Sequence, residues 1–199
     1  SAAEHCVMGY DPMIEYAEDT STWEPWQTDY RFGVILILPP ADVGQIFDDL
    51  RRTHDPESFE TCRAHVSVSD PLVCEMTPDI VSEIEGSLEG VSRFELGFGT
   101  LTASRDHAGV SCPISPQDRI DHLKAALHTT SGFGSKPYRR RSIPAHMTIA
   151  EFISIEDGLR LACKLQGVGP GTFAYDRLTL MVPNDGFRFH PCRTFEFTD

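Results

Sequence analysis

Apolar positions along the chain change their period repeatedly, and each change marks an element. Residues 31–38 are β-branched and apolar and stop at Pro39-Pro40, which predicts a buried strand. After Asp42, Val43, Ile46, Phe47 and Leu50 recur at helical spacing. Residues 64–69 then alternate sharply, with Val66 and Val68 on one face and His65 and Ser67 on the other. Thr77-Pro78 opens a second helix, a capping hydroxyl followed by proline at the first helical position, and Ile80, Ile84 and Leu88 form its apolar side. Residues 94–101 and 108–114 predict two strands. Ser115-Pro116-Gln117-Asp118 has the form of a capping box before a helix carrying Ile120, Leu123, Ala126 and Leu127. Residues 131–141 form a basic loop bordered by glycine. Residues 145–152 alternate again, and Ser154 caps a helix reaching about Leu165. Gly167, Gly169 and Gly171 have phosphate-loop spacing but lack a strand before and a helix after, which makes the stretch a turn. Residues 173–182 and 187–197 are strands joined by Pro183-Asn184-Asp185-Gly186. Adjacent strands with helices between pairs of them predict an α+β domain with antiparallel sheets, not a doubly wound parallel sheet.

Residues 1–29 stand apart. They hold seven acids, no Lys or Arg, and the segment Trp23-Glu24-Pro25-Trp26. They are expected to form an acidic extension, a tail or a strap over the surface, ahead of one domain spanning 30–199. A lid that uses the two tryptophans is the sharper alternative. The 199 residues suit one domain, and the net charge of −13 disfavours tracking a long phosphate backbone. A small nucleotide in a locally basic pocket remains compatible with that charge. No run approaches the roughly 18 apolar residues of a spanning helix, and no export signal is visible. Six cysteines without a C-x-x-C pair read as reduced thiols in a cytoplasmic protein, and no metal-ligand spacing is present.

Two segments match each other. Ala64-His65-Val66-Ser67-Val68 and Ala145-His146-Met147-Thr148-Ile149 both read Ala-His-apolar-hydroxyl-apolar, and the two histidines lie 81 residues apart. Alternation puts each imidazole and its hydroxyl on one strand face, about 7 Å apart along the chain, with apolar residues anchoring the other face. His128 also has a hydroxyl two residues on, at Thr130, but lacks the flanking pattern. The alternative reading of the pair is two half-buried strand histidines satisfied by neighbouring hydroxyls.

The doubled His-x-Ser/Thr-x, the opening strand ending in proline and the run Arg141-Ser142-Ile143-Pro144-Ala145-His146-Met147-Thr148-Ile149 resemble the 2H phosphoesterases. That family includes 2′-5′ RNA ligase-like proteins and 2′,3′-cyclic nucleotide phosphodiesterases. The family often has Pro directly before the second His, whereas Ala145 intervenes here. The resemblance covers roughly residues 30–197. It implies a bilobal fold of two antiparallel sheets with outer helices, related by a pseudo-two-fold axis around a central cleft. It also implies chemistry without a metal or other cofactor.

Such chemistry needs one neutral and one protonated imidazole, and a reference pKa of about 6.5 makes both forms accessible. The sequence expectation is that His146 takes a proton from water and His65 gives one to the leaving ribose oxygen. The Ser67 and Thr148 hydroxyls would donate to the non-bridging oxygens. Substrate contacts are expected from Arg139 and Arg141 in the basic loop, which otherwise is a solvated loop. Tyr138 either stacks a base or covers the core. Phe152 shares the face of His146 and Thr148. His190 either orients the site or is structural. The implied activity is hydrolysis of 2′,3′-cyclic phosphates of nucleotides or short RNA ends. ADP-ribose 1″,2″-cyclic phosphate and 2′,5′-oligoadenylate are related substrates. The alternatives are a 2′-5′ RNA ligase and a non-catalytic module that binds nucleotides or RNA ends. A monomer is expected, with no membrane and no extended nucleic acid among its partners.

Overall fold

The alternating segments assemble into one long antiparallel ladder. The computed structural model describes residues 13–139 and 143–197. Among them lie strands β1 (Val34–Ile37), β2 (Val66–Ser67), β3 (Phe94–Phe98), β4 (Thr102–Ala103), β5 (Val110–Ser115), β6 (His146–Ala150), β7 (Gly171–Tyr175), β8 (Arg177–Pro183) and β9 (Phe189–Glu196). Helices α1 (Ala41–His54), α2 (Pro56–Thr61), α3 (Pro78–Ser87), α4 (Gln117–Leu127) and α5 (Ile155–Lys164) fall between them. The strand order is β7-β3-β5-β6-β2-β1-β8-β9, and β4 pairs with β5 off that path. All described pairs are antiparallel. The order reads outward from its centre as two matched halves, β2-β1-β8-β9 and β6-β5-β3-β7. This is the α+β arrangement of two antiparallel halves, here joined edge to edge through β2 and β6.

Both halves share one core. Ile35, Ile37, Val66 and Val68 of the first half and Met147, Ile149, Val110 and Leu96 of the second belong to a single buried cluster. Phe47 of α1 meets Phe98 of β3 edge to face at 5.3 Å. Capping works as the sequence predicts at α3, where Thr77 accepts from the Ile80 N–H, and at α5, where Ser154 accepts from Asp157 N–H.

Three expectations need correction. Ser115-Pro116-Gln117-Asp118 makes no capping box: Ser115 ends β5, and Pro116 is an N-cap without a side-chain bond. Residues 173–182 are two strands, because the chain turns at Asp176 and passes from β3 in one half to β1 in the other. Ile46 is 54% exposed, while Arg51 takes the inward place on the Val43–Phe47 stripe of α1. Residues 56–61, on which the sequence reading is silent, form the short helix α2 with Asp55 as its cap.

From residue 13 the acidic extension is a strap on the β8–β9 hairpin. Asp185 of that hairpin accepts from the Glu18 and Asp19 N–H groups through Oδ1, and from Trp23 Nε1 through its carbonyl. A 3₁₀ helix at Pro25–Tyr30 follows. Gly33 then turns the chain into β1. Its φ is +92°, and a Cβ there would lie 2.6 Å from the Met181 carbonyl oxygen, so only glycine fits without displacing β8. No described helix is long and apolar enough to cross a membrane, and the described cysteines are all free.

Candidate active site

The two central strands carry the two histidine motifs. β2 and β6 pair antiparallel with Val66 opposite Met147. Continuing that register by one residue each way sets His65 opposite Thr148 and Ser67 opposite His146. Directly opposed side chains start about 4.5–5.5 Å apart, and diagonal ones about 7–8 Å. The four polar groups therefore form a rectangle with the imidazoles at diagonal corners. Val66 and Met147, pointing the other way, are fully buried and lock the rectangle to the core.

Each ring is oriented by its own backbone. His65 Nδ1 lies 2.7 Å from the Arg63 carbonyl oxygen, and His146 Nδ1 lies 2.9 Å from that of Pro144. A carbonyl only accepts, so both Nδ1 atoms carry hydrogen, and each Nε2 is left for a substrate. The same two-residue backward bond in both motifs is a structural echo of the sequence repeat.

The rectangle opens into a cleft of about 710 Å³ lined by His65, Ser67, His146 and Thr148. That volume suits a nucleotide-sized molecule better than a bare anion. Cationic side chains on its wall are Arg51, Lys124 and Arg139.

Arg51 belongs to no motif of the sequence. Its guanidinium is buried, and donates through Nη1 to the Thr148 carbonyl at 2.7 Å and through Nη2 to the Ser58 and Cys62 carbonyls at 2.8 and 2.7 Å. It thus sews α2 and the segment before His65 to the strand of the second motif. Burial, and next the Arg51 charge, push the half-buried His65 down to about 4, so this ring is neutral near pH 7. Burial likewise lowers Arg51 itself, with the charges of Cys62, Glu151, Asp48 and Asp55 acting the other way. The inward position of a lone Arg on an apolar helical stripe is the signal that finds it.

Other positioning residues are equally hidden from a reading of the sequence. Asp55 accepts from the Ser58, Glu151 and Phe152 N–H groups and from the Ser58 hydroxyl, fastening the α1–α2 junction to the end of β6. Gln117, expected in a cap, accepts from Ala145 N–H through Oε1 at 2.8 Å. Asp48 accepts from Ala64 N–H at 2.7 Å. The residue before each histidine is therefore held by a helix side chain.

Of the expected substrate contacts, Arg139, Tyr138 and Phe152 line the cleft. Arg141 lies outside the described residues. Arg139 donates its backbone N–H to Asp70 at 2.9 Å, and its guanidinium lies 3.6 Å from the same carboxylate. Tyr138 is buried, under the buried Lys124 ammonium 4.9 Å from its ring, so it covers the core at the cleft edge. Burial lowers the Lys124 ammonium from its usual range. Phe152 is 49% exposed at the rim. His190 is not among the lining residues. His128 accepts from Asp70 N–H at 3.0 Å and is a core histidine, as its flanking pattern suggests. Among the described residues, no group of three or more His, Cys, Asp or Glu side chains is placed to hold a metal ion.

The family model described as the 2′-5′ RNA ligase superfamily matches residues 38–186. No curated protein matches the chain. Solved structures do match. E. coli LigT in its apo form aligns over 83% of this chain and 96% of its own, with 14% identity and a TM-score of 0.55. E. coli LigT complexed with 3′-AMP aligns over 83% and 97%, with 16% identity and a TM-score of 0.53. TT0787 of Thermus thermophilus aligns over 82% and 96%, with 10% identity and a TM-score of 0.52. These likenesses are of fold.

Proposed function

The chain belongs to the 2′-5′ RNA ligase superfamily, and from that premise we propose that it hydrolyses the cyclic diester of a nucleoside 2′,3′-cyclic phosphate, free or at a short RNA end. The observation that carries the reading is the His65–Thr148, Ser67–His146 rectangle with both Nδ1 atoms tied to backbone. One phosphate seated there meets two free Nε2 atoms on opposite corners and two hydroxyls on the others.

The environment favours His65 as base. A ring held neutral by burial and by Arg51 can accept the proton of an attacking water without first losing one. His146, exposed to water at the opposite corner of the rectangle, is then left the donor's part. This exchanges the roles expected from the sequence, where the two motifs are too alike to be told apart. In the step, water oxygen bonds to phosphorus and its proton passes to His65 Nε2. The bond from phosphorus to one ribose oxygen breaks, and that oxygen takes the proton of His146 Nε2. Ser67 and Thr148 donate to the non-bridging oxygens as their charge grows. 3′-AMP, the ligand of one LigT structure, is of the monoester class that such ring opening releases. With an RNA hydroxyl in place of water as the nucleophile, the same step opens the ring and leaves a diester joining two ends, so the ligase reading uses this site too.

The test is phosphorus NMR of 2′,3′-cyclic nucleotides mixed with protein in EDTA. Wild type should open the ring, and His65→Ala and His146→Ala should each lose at least about 100-fold in turnover. A nucleotide-induced rise in melting temperature without product would make the protein a binding module and end the hydrolase reading. The base and acid are separated with a p-nitrophenyl diester, whose leaving group needs no proton. His146→Ala should keep most of its activity on it, and His65→Ala should not.

A further inference from the structure

The exposed large apolar side chains of the described surface include just two aromatics, Trp26 and Phe152, and both stand on the rim of the cleft. Trp26 belongs to the strap, outside the family match, which begins at Leu38. It is 50% exposed, yet its ring is fixed on two sides. Tyr30 meets it edge to face at 6.2 Å and Phe187 at 5.4 Å. Phe187 is itself packed by Trp23 at 5.1 Å and by Phe189 at 5.2 Å. The strap and the hairpin thus build an aromatic bracket that buries Trp23 and Phe187 but leaves the Trp26 indole half in water. A rigid, half-exposed indole facing an anion site is a stacking platform.

The neighbouring charge says what stacks there. In a 3₁₀ helix the side chains at i and i+3 eclipse, so Asp29 stands on the same face as Trp26, and both line the cleft. A carboxylate repels phosphate, so this end of the cleft takes the uncharged part of the substrate. A carboxylate accepts hydrogen bonds and gives none. Guanine is the base whose pairing edge offers two adjacent donors, N1–H and the N2 amine. Adenine and cytosine set an acceptor beside their amine, and uracil has a single N–H.

We propose that the strap forms a nucleobase subsite for the substrate, with Trp26 as stacking platform and Asp29 as acceptor for guanine. This rests on the nucleotide reading of the catalytic cleft and adds its base specificity.

The two readings fail separately. Binding of guanosine 3′-monophosphate is followed by isothermal titration calorimetry, which needs neither turnover nor a tryptophan reporter. Wild type should bind saturably, Trp26→Phe should bind within about threefold of wild type, and Trp26→Leu should bind at least about tenfold more weakly at an unchanged melting temperature. With 2′,3′-cyclic nucleotides, Trp26→Leu should raise KM far more than it lowers kcat. Asp29→Asn should remove the guanine-over-cytosine preference in kcat/KM. Saturable binding that Trp26→Leu weakens, without turnover in wild type, would sustain the subsite and sink the hydrolase. Turnover with KM unchanged in Trp26→Leu would sink the subsite alone. A wild type without guanine preference would remove Asp29 from it.

Discussion

His65 stays neutral because burial, and next the charge of the buried Arg51 guanidinium, disfavour its protonated form. Replacing Arg51 by Met removes that charge, so the His65 proton should bind more tightly, read as an upward shift in its NMR titration. The same substitution leaves the carbonyls of Thr148, Ser58 and Cys62 without their donor. An unpaired buried polar group costs about 1–3 kcal/mol, so Arg51→Met should lower stability by several kcal/mol in denaturant. Arg51→Lys keeps the charge but not the fork, and should restore the low His65 value better than the stability. His65 also makes the fold acid-sensitive. Its folded pKa lies below its unfolded one, so between about 6.5 and about 4 the unfolded chain binds a proton that the native chain refuses. Stability should therefore fall as pH drops through that window, and His65→Gln should lose less there. Equal losses in urea melts at pH 7 and pH 4.5 would show that His65 is not the burdened group.

Between elements, carboxylates and amides act as fasteners. Asp55 stays below the usual carboxylate range because its four hydrogen bonds outweigh the opposing effect of burial. A lowered carboxylate stabilises above its unfolded pKa and loses that benefit as pH falls through the folded one. Asp55→Asn should thus be destabilised at pH 7, and the gap to wild type should close in acid. A gap that is flat with pH would mean that the fastener works by shape and not by charge. This layer is the least legible in the sequence. The two motifs, the strands bearing them, and the α3 and α5 caps can be read from alternation and local chemistry, since period and capping are properties of neighbours in the chain. Asp48, Asp55 and Gln117 act on residues 16 to 97 positions away, and no local pattern records such a bond. The break at Asp176 is hidden for a related reason. Both of its flanks have strand character, and only pairing with different partners splits them.

For the whole molecule, charge is divided by place. The chain carries −13, while Arg51, Lys124 and Arg139 gather at one cleft. The histidine–hydroxyl rectangle sits where the two halves of the sheet meet, so on the proposed function the cleft attracts one phosphate and the remainder of the surface repels its neighbours. The Debye length falls from about 30 Å at 0.01 M to about 8 Å at 0.15 M, which screens distant repulsion long before it weakens a contact inside the cleft. Raising salt from about 0.01 to 0.15 M should therefore lower KM for a ten-residue oligonucleotide ending in a 2′,3′-cyclic phosphate. The mononucleotide, which feels mainly the cleft, should show a flat or slightly rising KM over the same range. A protein that tracks RNA along a basic groove does the reverse, losing affinity for the longer ligand as counterions compete. An oligonucleotide KM that climbs with salt would mean that a basic path outside the cleft guides the chain, and the preference for small substrates would have to be given up.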